Sequence, residues 1–246
     1  MKTMIDLTDR FPMTFDVPRM REELASLEGA DWLPHYDKAL AEGWTAIPLV
    51  SRDGSMDSEE SQRVGTLGAY RRTPVVEKLP YFAEILDAFP CPQGRVRIMK
   101  MMPGTVINPH RDVEKEVANI AFGQIRLHVP IETNDDVVFV VGGERLRMEP
   151  GRLYYVNFSK THYVRNDGST VRTHLVLDLG VDAFLARVFP PPSAVERLDR
   201  ACVRALLPLQ WKTIGLQNRA IRVFWRTYEG SALQRLRHRL RGGRPA

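Results

Sequence analysis

The chain has 246 residues, 43% of them hydrophobic and 26% charged, enough for a core of ordinary size. That composition excludes a disordered chain, a collagen-like repeat and a disulfide scaffold, and the two cysteines, Cys91 and Cys202, match no metal-ligand spacing. The formal charge of +5 is uneven: from Arg219 onward eight arginines meet one acid, Glu229, which leaves the preceding 218 residues at −2.

A basic tail on a nearly neutral body is not the pattern of a nucleic-acid-binding domain, so no nucleic-acid partner is expected. MKTMIDLTDRFPM lacks the apolar core of a signal peptide, and the apolar run from Val137 to Val141 is too short to cross a bilayer. The expectation is a soluble, cytoplasmic protein.

Taken in chain order, Met20, Leu24 and Leu27 recur at helical spacing behind Pro18 and predict a helix start. Trp44 to Ser51 reads as a strand, and the polar SRDGSMDSEES that begins at its end as a turn or loop. Behind Pro80, the residues Phe82, Ile85, Leu86 and Phe89 mark a short amphipathic helix. Between Arg95 and Leu179 the period changes to two. RVRIMKMM, QIRLHVPI, DVVFVV, RLRM, LYYVNF and VRTHLVLDL are short strands, with turns at Gly142-Gly143, Glu149-Pro150-Gly151 and Asn166-Asp167-Gly168. Many short strands with regular turns predict a mainly β fold, an antiparallel sandwich or barrel of jelly-roll type. The longer connection from Arg111 to Gly123 has the length of a lid over a site. Beyond Leu179 the pattern is helical again. Ser193 with Glu196 makes a capping box, and a last helix is expected from Arg219 to about Leu240.

Four of the six histidines fall in the β region: His110, His128, His162 and His174. His110 and Asp112 lie two apart at the end of a strand that begins near Thr105, so both side chains reach one point. His162 would complete two imidazoles and a carboxylate, a set that leaves coordination positions open on non-haem Fe(II). The bland alternative is a polar surface turn. Arg126 and His128 share one face of QIRLHVPI, and Arg172 and His174 share one face of VRTHLVLDL. If those faces point inward, the arginines need an anion, and a dicarboxylate satisfies such a pair by bidentate bonds. If they point outward, solvent suffices. No P-loop, Gly-x-Gly-x-x-Gly or Gly-x-Ser-x-Gly motif competes with the metal reading.

MMPGTVINPHRD, RLHVPIET, GGERLRMEPGRLYYVNFSKTHYVRND and RTHLVLDL together resemble the aspartyl/asparaginyl β-hydroxylase family. Fainter similarity, at Trp44 to Gly54 and TPVVEKLPYFAEILD, is to bacterial cis-hydroxylases of free proline. The resemblance implies a double-stranded β-helix core, cupin-like, at about 95–180. It makes 1–180 an oxygenase domain with an N-terminal α/β part, and 181–246 a basic helical extension outside the match. It implies Fe(II) as metal, with 2-oxoglutarate and O₂ as co-substrates, and His110, Asp112 and His162 as ligands. Arg172 then matches the arginine on the distal carboxylate of 2-oxoglutarate, and Arg126 and His128 match an Arg-x-His beside the co-substrate. Met99 stands where some members have a serine near the co-substrate. The substrate so implied is an amino acid, free or in a small peptide or conjugate. A lipid hydroxylase and a non-catalytic binding module are the alternatives, the basic tail being the support for membrane association.

Because the family likeness ends before the basic stretch, removing residues 219–246 should leave iron and 2-oxoglutarate binding intact, whatever it does to stability or association. Titration of the shortened chain with both checks this; a well-folded deletion that no longer bound metal would show the site to be misplaced.

Overall fold

The computed structural model describes residues 2–206 apart from 28, 30–31, 35–42, 58, 63–66 and 113–119, together with 220 and 223. The helix expected over 219–240 therefore lies outside the described residues, as does 113–119 of the expected lid; 120–122 form a 3₁₀ turn.

The described strands build two antiparallel sheets. The larger is ordered β1 (Met4–Asp6), β10 (Tyr154–Val156), β7 (Gln124–Glu132), β12 (Arg172–Gly180), β5 (Gln93–Met101), β3 (Trp44–Arg52) and β2 (Leu33–Pro34), with β4 (Tyr70–Arg72) also on β3. The smaller is ordered β6 (Val106–His110), β11 (His162–Asn166), β8 (Val137–Val141) and β9 (Glu144–Leu146). This is the double-stranded β-helix expected from the sequence. The Gly142-Gly143 turn closes the β8–β9 hairpin with φ of 57° and 84°, a left-handed pair that glycine adopts without strain. The period-two reading found the long strands and missed β11, whose HYVRN has no clean alternation.

Alternation decides which face of the large sheet meets what. Ile125, Leu127, Val129 and Ile131 on β7, with Leu175, Leu177 and Leu179 on β12, are buried in one apolar cluster with the helices. Those helices are α1 (Val17–Ala25), α2 (Pro80–Asp87) and α3 (Ala183–Val188). They contribute Met20; Tyr81, Phe82, Ile85 and Leu86; and Leu185 and Val188. The opposite face of the same strands, carrying Arg126, His128, Arg172, His174 and Asp178, turns toward the small sheet. A second cluster there contains Met101, Phe139, Val141, Leu146, Tyr154, Val156, Phe158 and Val164. All nine residues of β12 are buried, polar ones included. The inward option for the Arg-x-His faces is the one the fold takes.

Local chemistry sets the helices. Asp16 caps α1 by accepting from the Arg19 amide at 3.1 Å, and Asp182 caps α3 by accepting from the Leu185 amide at 3.0 Å. The Glu23 carboxylate accepts from the amides of Tyr81 and Phe82, at 2.6 and 3.1 Å, so α1 supplies the N-terminal cap that α2 lacks. Three breaks in strand register coincide with prolines, which have no N–H to give a ladder: Pro48 in β3, Pro109 in β6 and Pro130 in β7. A fourth falls beside Gly94 in β5. Ser193 and Glu196 form the expected reciprocal capping box before helical residues 194–206. No helix among the described residues is long and apolar enough to cross a membrane.

Phe82 is fully buried between α2 and the sheet, whereas Leu198 is 67% exposed. Phe82→Ala should cost about 3–5 kcal/mol in urea denaturation, and Leu198→Ala less than about 0.5 kcal/mol. Equal losses would mean that the helical layer is not seated on the sheet as described.

Candidate active site

The antiparallel pairing of β11 with β6 sets His162 opposite His110, with ring centroids 4.2 Å apart. The extra residue of β6 at Asn108-Pro109 falls immediately before His110, where a bulge re-aims the side chain. Asp112 lies just past the end of β6, its amide donating to the Phe158 carbonyl at 3.1 Å. The three candidate ligands offer donor atoms that all lie within 4.8 Å of one another. Asp112 Oδ1 is 3.6 Å from His110 Nε2 and 3.9 Å from His162 Nε2, too far for hydrogen bonds and a fitting distance for a shared cation.

The rest of each ligand is already committed. His110 Nδ1 donates to the Asn108 carbonyl at 2.8 Å, and His162 Nδ1 to the Lys160 carbonyl at 3.0 Å. These bonds assign the proton to Nδ1 in both rings and leave both Nε2 lone pairs for a metal. Asp112 Oδ2 accepts from Arg126 at 2.5 Å, which leaves Oδ1 facing the imidazoles. Burial disfavours the Asp112 carboxylate, but Arg126 and the two histidines outweigh it and lower its pKa. Burial likewise pushes His162 down to about 4, which keeps it a neutral ligand at pH 7. The donor set, its tautomers and its charge suit a divalent ion such as Fe(II) with open positions.

Arg126 does more than face the site. It also donates from Nε to Asp178 Oδ1 at 2.6 Å and from a terminal nitrogen to Asp178 Oδ2 at 3.1 Å. Asp178 Oδ2 accepts from Arg95 Nε as well, at 3.2 Å, and Arg97 lies 3.8 Å away. Burial works against the charge on Asp178, yet Arg126, Arg95 and Arg97 hold its pKa far below the usual carboxylate range. Asp178, Arg95 and Arg97 were not among the sequence candidates. The signal was present: Asp178 continues the Arg172, His174 period by two, and Arg95 and Arg97 repeat it on β5.

Along β12 from Asp178 the inner face continues through Val176 to His174 and Arg172. His128 pairs across from Val176, with its Nδ1 3.4 Å from His174 Nδ1 and its ring 5.2 Å from Phe158. Arg172 donates to His174 Nδ1 at 3.3 Å, so His174 Nδ1 is an acceptor and the proton between the two rings belongs to His128. Desolvation, reinforced by Arg172, pushes both imidazoles well below their ordinary pKa. Arg172 itself is buried, and that burial lowers its pKa to about 10, with no carboxylate raising it. It lines a cavity of about 460 Å³ that also touches Phe139, Leu146 and Met148. Met99 pairs with His174 across β5 and β12. Thus the triad stands at one end of the inter-sheet space and Arg172 at the other, with His128 and His174 between them.

The aspartyl/asparaginyl β-hydroxylase family model matches residues 14–180. Among characterised proteins, the chain is 27% identical over 191 residues to L-proline cis-4-hydroxylase of Rhizobium meliloti (strain 1021), a match covering 75% of this chain and 66% of that protein. Among solved structures it resembles a 2OG-Fe(II) oxygenase family oxidoreductase from Burkholderia pseudomallei, at 16% identity and a TM-score of 0.43. That match covers 72% of this chain and 82% of the other. HygX from Streptomyces hygroscopicus, solved with nickel and 2-oxoglutarate bound, is similar at 11% identity and a TM-score of 0.43, covering 74% and 84%. Both structural likenesses are loose.

His128, His162 and His174 are buried, neutral and held below their unfolded pKa, so the unfolded chain binds more protons between about pH 6.5 and 4. Stability of the metal-free protein should therefore fall as pH drops through that window. The loss is about 2 kcal/mol per imidazole between pH 6.5 and 5. Urea midpoints that coincide at the two pH values would contradict the buried, neutral state of these rings.

Proposed function

The chain belongs to the aspartyl/asparaginyl β-hydroxylase family, and from that premise we propose that it is an Fe(II)- and 2-oxoglutarate-dependent hydroxylase of an amino acid, free or in a small peptide or conjugate. The observation that carries the reading is Arg172: a buried guanidinium without a carboxylate partner among the described residues, on the same inner face as the triad. A dicarboxylate that reaches from the metal toward Arg172 supplies the missing anion. The spacing of two imidazoles and one carboxylate alone would suit other metal enzymes; the unpaired arginine is what favours a keto-diacid.

Bound Fe(II) with 2-oxoglutarate and O₂ supplies oxidative decarboxylation, giving succinate and CO₂, coupled to transfer of one oxygen atom into a C–H bond. The protein's share is placement. His110, Asp112 and His162 would hold the metal through two imidazole Nε2 atoms and one carboxylate oxygen. Arg126 occupies the other oxygen of Asp112, which keeps that ligand in one orientation. His128 and His174 line the way to Arg172 as neutral rings, so they add no charge to compete with the guanidinium. Phe139 and Phe158, 6.1 Å apart, form an apolar wall that runs from Arg172, 5.7 Å from the Phe139 ring, to His162, 4.7 Å from that of Phe158. L-proline, on which the named relative acts, is the first free amino acid to test.

Arg172→Ala should weaken 2-oxoglutarate binding by a factor of tens to thousands, about 2–5 kcal/mol, while metal affinity stays within about threefold. Anaerobic titration calorimetry with Mn(II) in place of iron measures both. Unchanged 2-oxoglutarate affinity would overturn the assignment of Arg172.

A further inference from the structure

We infer that Arg97 anchors a second anion subsite, on the metal side of the inner face, which takes the α-carboxylate of a free amino-acid substrate; the inference rests on the oxygenase reading above. The inner face of the large sheet buries four guanidiniums, those of Arg95, Arg97, Arg126 and Arg172. The carboxylates bonded to them among the described residues are Asp112 and Asp178. Asp178 is filled by three bonds from Arg126 and Arg95, all within 3.2 Å. Arg97 reaches it only at 3.8 Å, beyond hydrogen-bond range, and its buried Nε has no hydrogen-bond partner among the described residues. Donors of a buried cation left in this state cost free energy until something accepts from them. Burial and the neighbouring Arg95 lower the Arg97 pKa to about 9, against the pull of Asp178, which agrees with a cation short of an anion.

The position decides which anion is missing. Arg97 pairs across from Val176, and Arg172 lies four residues further along β12, about 13 Å at the usual strand rise. The carboxylate that Arg172 holds is therefore not the one that Arg97 lacks. Arg97 and His128 flank Val176 on the same face, and Asp112 lies near enough to raise the Arg97 pKa, so the unfilled donors sit beside the metal ligands. A divalent metal and a dicarboxylate co-substrate cancel each other's charge. What Arg97 lacks is then an acceptor for its own donors, which neither the metal nor the distal carboxylate held at Arg172 supplies. A substrate with its own carboxylate supplies that acceptor, and the planar fork of Arg97 fits such a group. Within the proposed substrate class this selects a free amino acid over a residue inside a peptide chain, whose α-carboxylate is consumed in an amide.

The test uses the full chain loaded with Fe(II) and 2-oxoglutarate in air, offered free L-amino acids, L-proline first, and the matching α-amides. The gain of one oxygen atom is followed by mass. At least one acid should be hydroxylated, with its amide worse in kcat/KM by about thirtyfold or more. Arg97→Gln should raise KM for that acid about tenfold or more and erase the acid-over-amide preference, with 2-oxoglutarate affinity within about threefold of the parent. Arg97→Lys, which keeps the charge and loses the fork, should recover part of the preference. An amide turned over as well as its acid by the parent would overturn the subsite without any variant. So would an Arg97→Gln protein that lost 2-oxoglutarate affinity and kept its preference, since Arg97 would then serve the co-substrate. A parent that consumes 2-oxoglutarate but accepts no free amino acid overturns the subsite and leaves the oxygenase reading standing. A parent that binds no 2-oxoglutarate overturns both.

Discussion

Arg126 ties the candidate metal centre to the sheet. It donates to Asp112 on one side and twice to Asp178 on the other, and Asp178 in turn accepts from Arg95. Burying such charges is expensive, and an apolar cluster of the same volume would often be at least as stable. What the cluster provides is position. Asp112 lies beyond the last residue of β6, where no ladder holds it, and one of its oxygens is fixed from the opposite sheet instead. A metal ligand on a chain segment is thereby given the precision of a ligand on a strand.

That arrangement is possible because the helices lie on the other face. With α1, α2 and α3 packed against Ile125, Leu127, Leu175 and Leu177, the large sheet buries its apolar side outside the β-helix. Its polar side is free to face the small sheet. The small sheet contributes Phe139 and Val141 around the charges, together with two of the three metal ligands, and Phe158 joins them from the connection between β10 and β11. The space between the sheets is therefore neither an ordinary core nor a water-filled cleft: charged groups are held in a low-dielectric setting where each unpaired one calls for a ligand. Among the described residues Arg172 has no carboxylate partner and Arg97 has an Nε without an acceptor, and they lie at different places along the same face.

Prolines recur at the points where this geometry departs from a regular ladder. Pro109 precedes His110, and Pro130 breaks the register of β7 against β12 between the levels of Arg172 and Val176. A residue without an N–H cannot complete the ladder, so the bulge falls where the proline is. In β6 the bulge lies directly beside a metal ligand. These positions were visible as prolines in the sequence, but their effect on the direction of a neighbouring side chain was not.

Much of the site could be read from residue order alone. The two Arg-x-His faces and the alternation on β7 and β12 follow from a period of two, which is a local property of the backbone, and the His-x-Asp pair stood out by its spacing although Asp112 lies past the end of β6. So did the helix behind Pro80, whose four apolar residues are all buried. The tail's charge is a matter of counting. Three things were decided by the tertiary structure. Which face of β12 points inward depends on what covers the other face, and period alone is symmetric between the two. The meeting of His162 with His110 depends on a register between strands about fifty residues apart in sequence, set by β11, a strand without a clean pattern. The partition of Arg95, Arg97 and Arg126 between two aspartates depends on differences in distance of less than an ångström or so, which make Arg126 a brace for Asp112 and leave Arg97 short of an acceptor. The sequence determined which residues alternate; long-range packing determined what they alternate between, because burial and charge pairing belong to the assembled sheets and to no single strand.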